Sequence, residues 1–195
     1  MQKRTTLKDL SLGKRLTLTA LFAALCCIGT VLITIPLPAS GYFNTGDVFV
    51  LLSAWCLGPL YGTAAAAIGS AVGDLFLGYA LYAPATLLIK GLDAFAAACI
   101  AWAIKGCLRA RTWDFVARLV SAIVGELIMM AGYFLFECLL YTPLGAIPNL
   151  LGNGMQAICC TVCAVLIISA LYRVKPVRRL FPPLQVAESK TETTK

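Results

Sequence analysis

Polarity along this chain changes in long blocks rather than in short alternations. Apolar runs cover about residues 16–37, 86–104, 116–137 and 150–172. Each approaches or exceeds the roughly 18 to 20 residues that an α-helix needs to cross a ~30 Å hydrocarbon core. A further block, "NTGDVFVLLSAWCLGPLYGTAAAAIGSAVGDLF" at 44–76, carries no charge between Asp47 and Asp74, yet Gly58 and Pro59 interrupt it. As one helix, 47–77 would be roughly 46 Å long; as two, the first limb would be only about 21 Å. Length argues against both readings.

Charge separates them. Basic residues gather at Lys3, Arg4, Lys8, Lys14 and Arg15, at Lys105, Arg109, Arg111 and Arg118, and at Arg173, Lys175, Arg178 and Arg179. Short loops rich in Lys and Arg stay in the cytoplasm. Only two spans within 44–77 put all three clusters there, with "GPLYG" as a tight cytoplasmic turn. The expected fold is therefore all-α: an integral membrane bundle of six transmembrane helices with both termini cytoplasmic. Residues 1–15 form a basic cytoplasmic amino terminus, 16–173 the membrane domain and 174–195 a disordered cytoplasmic tail. The amino-terminal apolar stretch, 16–37, is too long for a signal-peptide core and reads as a retained helix. The outer segments "PLPASGYFNTGD", "GYALYAPAT" and "ECLLYTPLGAIPN" are rich in Tyr, Pro, Gly and Asn, and point to a binding mouth facing outward.

Composition agrees with a membrane location. The 195 residues are 60% hydrophobic and 13% charged, with a mean hydropathy of +0.86, where soluble domains carry about a quarter charged residues. The net charge of +7 sits at the ends of spans, which excludes nucleic acid as the expected partner. Nine cysteines and no histidine remove most triad and metal chemistry. No catalytic residue and no metal ligand is expected.

Polar residues inside the spans carry the functional signal, because ionisable groups in a bilayer are costly. Asp47, Asp74, Asp93, Glu126 and Glu137 stand against Lys90 in the outer half, five acids to one base. Lys90 and Asp93, three apart, can pair on one helix face. Glu126, Met130, Tyr133 and Glu137 form one stripe, and Asn149, Asn153 and Gln156 another, at helical spacing. Interhelical hydrogen bonding would account for either stripe; two converging stripes point to a cavity. Tyr42, Phe43, Tyr79, Tyr82, Tyr133 and Tyr141 form either an aromatic belt or a stacking platform for a flat heterocycle. The acidic balance favours a neutral or cationic, planar, hydrogen-bonding ligand over a carboxylate. The expected substrate-binding residues are Asn44, Asp47, Tyr79, Lys90, Glu126, Tyr133, Asn149, Asn153 and Gln156. Small residues at Ala20-x-x-x-Ala24 and Gly69-x-x-x-Gly73 allow close helix approach; the second is expected to pack internally, and Ala20 and Ala24 to dock a partner.

The stretch from Gly41 to Leu92 resembles the substrate-binding S components of energy-coupling factor (ECF) vitamin transporters, the riboflavin-transporter-like group above all. The matching features are Asn44 to Val48 with Thr45 interposed, the Gly58-Pro59 turn, the small-residue run Gly62 to Asp74, and Pro84-Ala85-Thr86 with Ile89-Lys90-Gly91. Ala20-x-x-x-Ala24 is similar to the family's docking motif. The resemblance implies a non-enzymatic protein of the bacterial cytoplasmic membrane. Such a protein captures a vitamin under a lid between the first two helices and has no cofactor of its own. It works with a transmembrane coupling subunit and two cytoplasmic ATPase subunits that use ATP; this chain has no Gly-Lys-Ser/Thr phosphate loop. Riboflavin leads among ligands, followed by pyrimidine- or pyridoxine-type vitamins and precursors. The rival readings are a stand-alone secondary carrier using Glu126, and a membrane thiol oxidoreductase using Cys160-x-x-Cys163.

Overall fold

A computed structural model describes residues 10–37, 41–107, 113–174 and 177. Most of the segments expected as a basic amino terminus and a disordered tail lie outside the described residues. The described chain consists of five long helices and one small hairpin. All five helices are long and apolar enough to cross a membrane.

Helix α1 (Leu12–Leu32) is followed by strands β1 (Thr34–Pro36) and β2 (Tyr42–Asn44). The strands pair antiparallel with Ile35 opposite Phe43. The first span thus ends five residues before the expected Leu37. Proline disfavours helical backbone in the residue before it, and Pro36 turns Ile35 to extended geometry beside two further β-branched residues, Ile33 and Thr34. Helices α3 (Ala83–Cys107), α4 (Trp113–Leu140) and α5 (Pro143–Leu171) all begin earlier than their apolar runs. In α5 the reason is local: Thr142 Oγ1 accepts a 3.1 Å hydrogen bond from Gly145 N, and Pro143 follows as a first-turn residue. Much of "ECLLYTPLGAIPN" is therefore helical rather than loop.

Helix α2 (Gly46–Phe76) is broken at Gly58, whose φ of 78° and ψ of −174° lie outside helical space. The chain turns back there. Ser53 Oγ donates to Gly62 O at 3.1 Å, although nine residues of straight helix would separate them by about 13 Å. Thr30 of α1 is the common neighbour of Gly46 and Gly73, residues from the two extremes of α2. The two limbs, 46–57 and 59–76, lie side by side. Gly58 is required twice over: its φ suits a residue without a side chain, and a Cβ would lie 2.5 Å from the Trp102 ring.

The first limb is the centre of the bundle, with Val48 and every residue from Val50 to Leu57 buried. Closest approach comes where side chains are smallest. Gly69 sits against Ala23 and Cys26, and Gly73 against Thr30 with a Cβ-equivalent distance of 2.8 Å. This is the expected internal role of the Gly69-x-x-x-Gly73 pair. Ala20 and Ala24 face away from that contact and are exposed.

Candidate functional site

The β1–β2 hairpin lies over one end of the bundle, and the polar residues of five helices meet beneath it. Their cavity is lined by Thr30 of α1, Leu37, Gly41, Tyr42 and Asn44 of the hairpin segment, and Ser70 and Asp74 of α2. Thr86 and Lys90 of α3, Tyr133 and Glu137 of α4, and Asn153 and Gln156 of α5 complete it with Tyr82. Its free volume is about 30 Å³, roughly the space of one water.

Hydrogen bonds fix the hairpin to the floor at several points. Tyr42 OH donates to Asp74 Oδ1. Burial, and then the Asp74 carboxylate, push the Tyr42 hydroxyl above its ordinary range, so it stays a donor. Asn44 N donates to Gln156 Oε1 at 2.7 Å, and Thr45 Oγ1 donates to Gly29 O at 2.9 Å. Gly41, with φ 125°, passes over the α4–α5 pair: a Cβ there would lie 3.3 Å from Asn149 Nδ2 and 3.5 Å from Glu137 Oε1. Leu37 packs against Gly152 of α5.

Below the cavity lies a layer of buried charge. Lys90 Nζ forms an ion pair with Asp47 Oδ1. Gln156 Nε2 donates to the other carboxylate oxygen of Asp47 at 2.6 Å, so α2, α3 and α5 are joined through one carboxylate. Asn44 Oδ1 accepts from Gly46 N at 2.8 Å and orders the entry to α2. The Lys90 ammonium also stands 5.4 Å from the Tyr133 ring centre, and Tyr133 OH lies 2.9 Å from Thr86 Oγ1. Buried ion pairs add little net stability, but each partner is costly to leave alone. Their effect here is to hold helix register around the cavity.

Of the residues expected from sequence, Asn44, Lys90, Tyr133, Asn153 and Gln156 line the cavity. Asp47 lies behind Lys90. Asn149 donates to Glu137 Oε1 at 2.9 Å and sits under Gly41. Tyr79 is outside the lining and packs tilted against Tyr42, ring centres 4.8 Å apart. Glu126 is buried but outside the lining. The Lys90–Asp93 pair does not form: Lys90 reaches across to Asp47, and the Asp93 oxygens have no hydrogen-bond partner among the described residues. Packing against Gly125 holds the Asp93 carboxyl toward α4 instead. Thr30, Ser70 and Thr86 are not among the expected binding residues, because isolated hydroxyls on apolar helices carry no binding pattern, although Thr86 belongs to the Pro84-Ala85-Thr86 feature. Asp74, Tyr42 and Tyr82 stand out in the sequence as an outer-half charge and aromatics that no stripe joins, and Glu137 ends the α4 stripe without being among the expected binding residues.

Cys160 is buried with Sγ 3.6 Å from Asn44 O, whereas Cys163 is exposed. That places the first thiol under the cavity floor as a small packing group.

The family model of the ECF-type riboflavin transporter S component matches residues 12–173. A Pyrococcus woesei protein, described only as uncharacterized, is 36% identical over 132 residues, covering 67% of this chain and 83% of its own. The solved structure described as the S component of a bacterial ECF transporter superposes with a TM-score of 0.62. It is 17% identical and covers 84% of this chain and 98% of its own, so the likeness is one of fold.

Proposed function

Because the chain belongs to the S component family of ECF-type riboflavin transporters, a family of substrate-binding transporter subunits rather than enzymes, we propose that it captures a planar, neutral or cationic heterocyclic vitamin at the hairpin-covered cavity. Riboflavin is the first candidate through the family. The observation that carries the reading is the cavity itself: polar groups from every helix converge on it, and a two-stranded hairpin closes it. Ligand pockets hold about 300 Å³ or more, so entry of a vitamin requires the hairpin to lift from Asp74 and Gln156. The acidic lining, Asp74 and Glu137 with Lys90 already paired to Asp47, repels carboxylate vitamins.

The two limbs of α2 each cross the membrane in this reading, giving six crossings with both ends in the cytoplasm and the cavity facing outward. The exposed Ala20 and Ala24 face of α1 docks the transmembrane coupling subunit, and two ATPase subunits supply energy from ATP in the bacterial cytoplasmic membrane. A pyrimidine- or pyridoxine-type vitamin is the second reading, favoured by the 30 Å³ cavity, which a single ring enlarges less than a flavin does.

The test is purification in detergent without added vitamin, followed by visible absorbance and mass spectrometry of whatever denaturation releases. A flavin spectrum with flavin recovered near one per protein establishes riboflavin. A colourless protein releasing a smaller heterocycle moves the ligand to the second reading. Uptake by the chain alone in liposomes, without ATPase partners, would replace the S-component reading with a stand-alone carrier.

A further inference from the structure

The two acidic residues that line the cavity are each half satisfied. Asp74 Oδ1 is held by Tyr42 OH, and Glu137 Oε1 by Asn149 Nδ2. The remaining oxygens, Asp74 Oδ2 and Glu137 Oε2, are buried and have no hydrogen-bond partner among the described residues. The Thr86 hydroxyl, which stands beside Asp74, shares a 2.9 Å hydrogen bond with Tyr133 OH in which either group can donate. Both carboxyls are only 2–3% exposed. An acceptor left unpaired in such a place costs free energy that a donor from outside would recover. The arrangement is also directional, since the partner on the first oxygen fixes where the second one points.

Resting on the reading of this cavity as a vitamin site, we propose that Asp74 and Glu137 are its specificity-determining pair. Each accepts one hydrogen bond from a separate N–H or O–H group of the ligand. The ligand class is thereby narrowed to flat heterocycles that carry two such donors and no anionic group. Lys90 takes no share in this reading of donors, because an ammonium donates and cannot accept a hydrogen bond. A site built to pair a polar group rejects the analogue lacking it far more strongly than an apolar pocket does.

Full-length chain, stripped of ligand in detergent, is titrated by calorimetry with riboflavin, pyridoxine and a hydroxymethyl-aminopyrimidine. The tightest binder is then compared with analogues methylated singly at its N–H and O–H groups. Two methylations are expected to lower affinity about tenfold or more in the unmodified chain. Asp74→Asn removes the preference at one of those positions and Glu137→Gln at the other. Tyr42→Phe, which frees the opposite oxygen of Asp74, weakens ligand and analogue alike and keeps the preference. Unchanged preference in both Asp74→Asn and Glu137→Gln overturns the proposal while leaving the vitamin reading intact. Equal binding of all methylated analogues by the unmodified chain overturns it even where a variant fails to fold. Failure of all three probes to bind removes the vitamin reading and this inference with it.

Discussion

Lys90 illustrates how a single buried charge dictates what its neighbours can be. Lys90 is only 2% exposed and has one carboxylate partner, Asp47, which in turn is shared with Gln156. Removing one member of a buried pair leaves the other uncompensated, at a cost of about 3–5 kcal/mol. Lys90→Met is therefore expected to lower the melting temperature in detergent sharply, and Asp47→Leu combined with Lys90→Met to recover much of the loss; a Lys90→Met protein that melts like the parent would refute the pairing. Asp93 and Glu126 behave in the opposite way. They are equally buried, but their oxygens meet no donor among the described residues. An amide in place of either acid relieves the burial of a chargeable group without breaking a bond. Asp93→Asn and Glu126→Gln are accordingly expected to shift stability by less than about 1 kcal/mol or to raise it, measured by the same melts. Buried acids on adjacent helices thus differ by their partners alone, and neither spacing nor composition distinguishes them.

At the scale of elements, the decisive feature is the reversal inside α2. Gly58→Ala forces a side chain into a left-handed φ, at about 1–2 kcal/mol, and into the Trp102 ring. Gly58→Ala should therefore reduce the yield of folded, monodisperse protein, and adding Trp102→Ala should restore only the steric part. Full recovery in the double variant would show that backbone conformation at 58 is not limiting. This break was legible in the sequence, because Gly58-Pro59 interrupts an overlong apolar run and the three basic clusters fit one side only if the chain turns there. The four remaining long helices were legible from block hydropathy, with boundaries off by a few residues. The hairpin was not: Thr34–Pro36 and Tyr42–Asn44 are three-residue strands, too short for any alternation to register, and their placement depends on contacts to Asp74 and Gln156, 32 and 112 residues further along the chain. The site was half legible for the same reason. Stripes on α4 and α5 announced Tyr133, Asn153 and Gln156, whereas the partner of Lys90 was chosen by tertiary packing across 43 residues over the local Asp93.

Across the whole molecule, two chemically different ends result. One end holds the hairpin, Asp74, Glu137 and Asn149. The other gathers the Gly58 turn against Trp102, and Arg118 lies 4.5 Å from the Tyr172 ring at the end of α5. The Trp55 indole links α2 to α4 near that end through a 3.0 Å bond to Ser121. The basic clusters flank the second end in sequence, so the positive-inside preference predicts a cytoplasmic second end and an outward-facing cavity. Side-selective labelling decides this. In a background lacking the nine cysteines, Leu60→Cys, at a turn position 73% exposed, should react with an impermeant maleimide only after cells are opened. Ala80→Cys, exposed between α2 and α3, should react in intact cells. If 47–77 crossed the membrane once, residue 60 would be shielded by lipid under both conditions and residue 80 would lie inside. The two patterns share no outcome, so one pair of variants fixes both the number of crossings in α2 and the face on which a ligand must arrive.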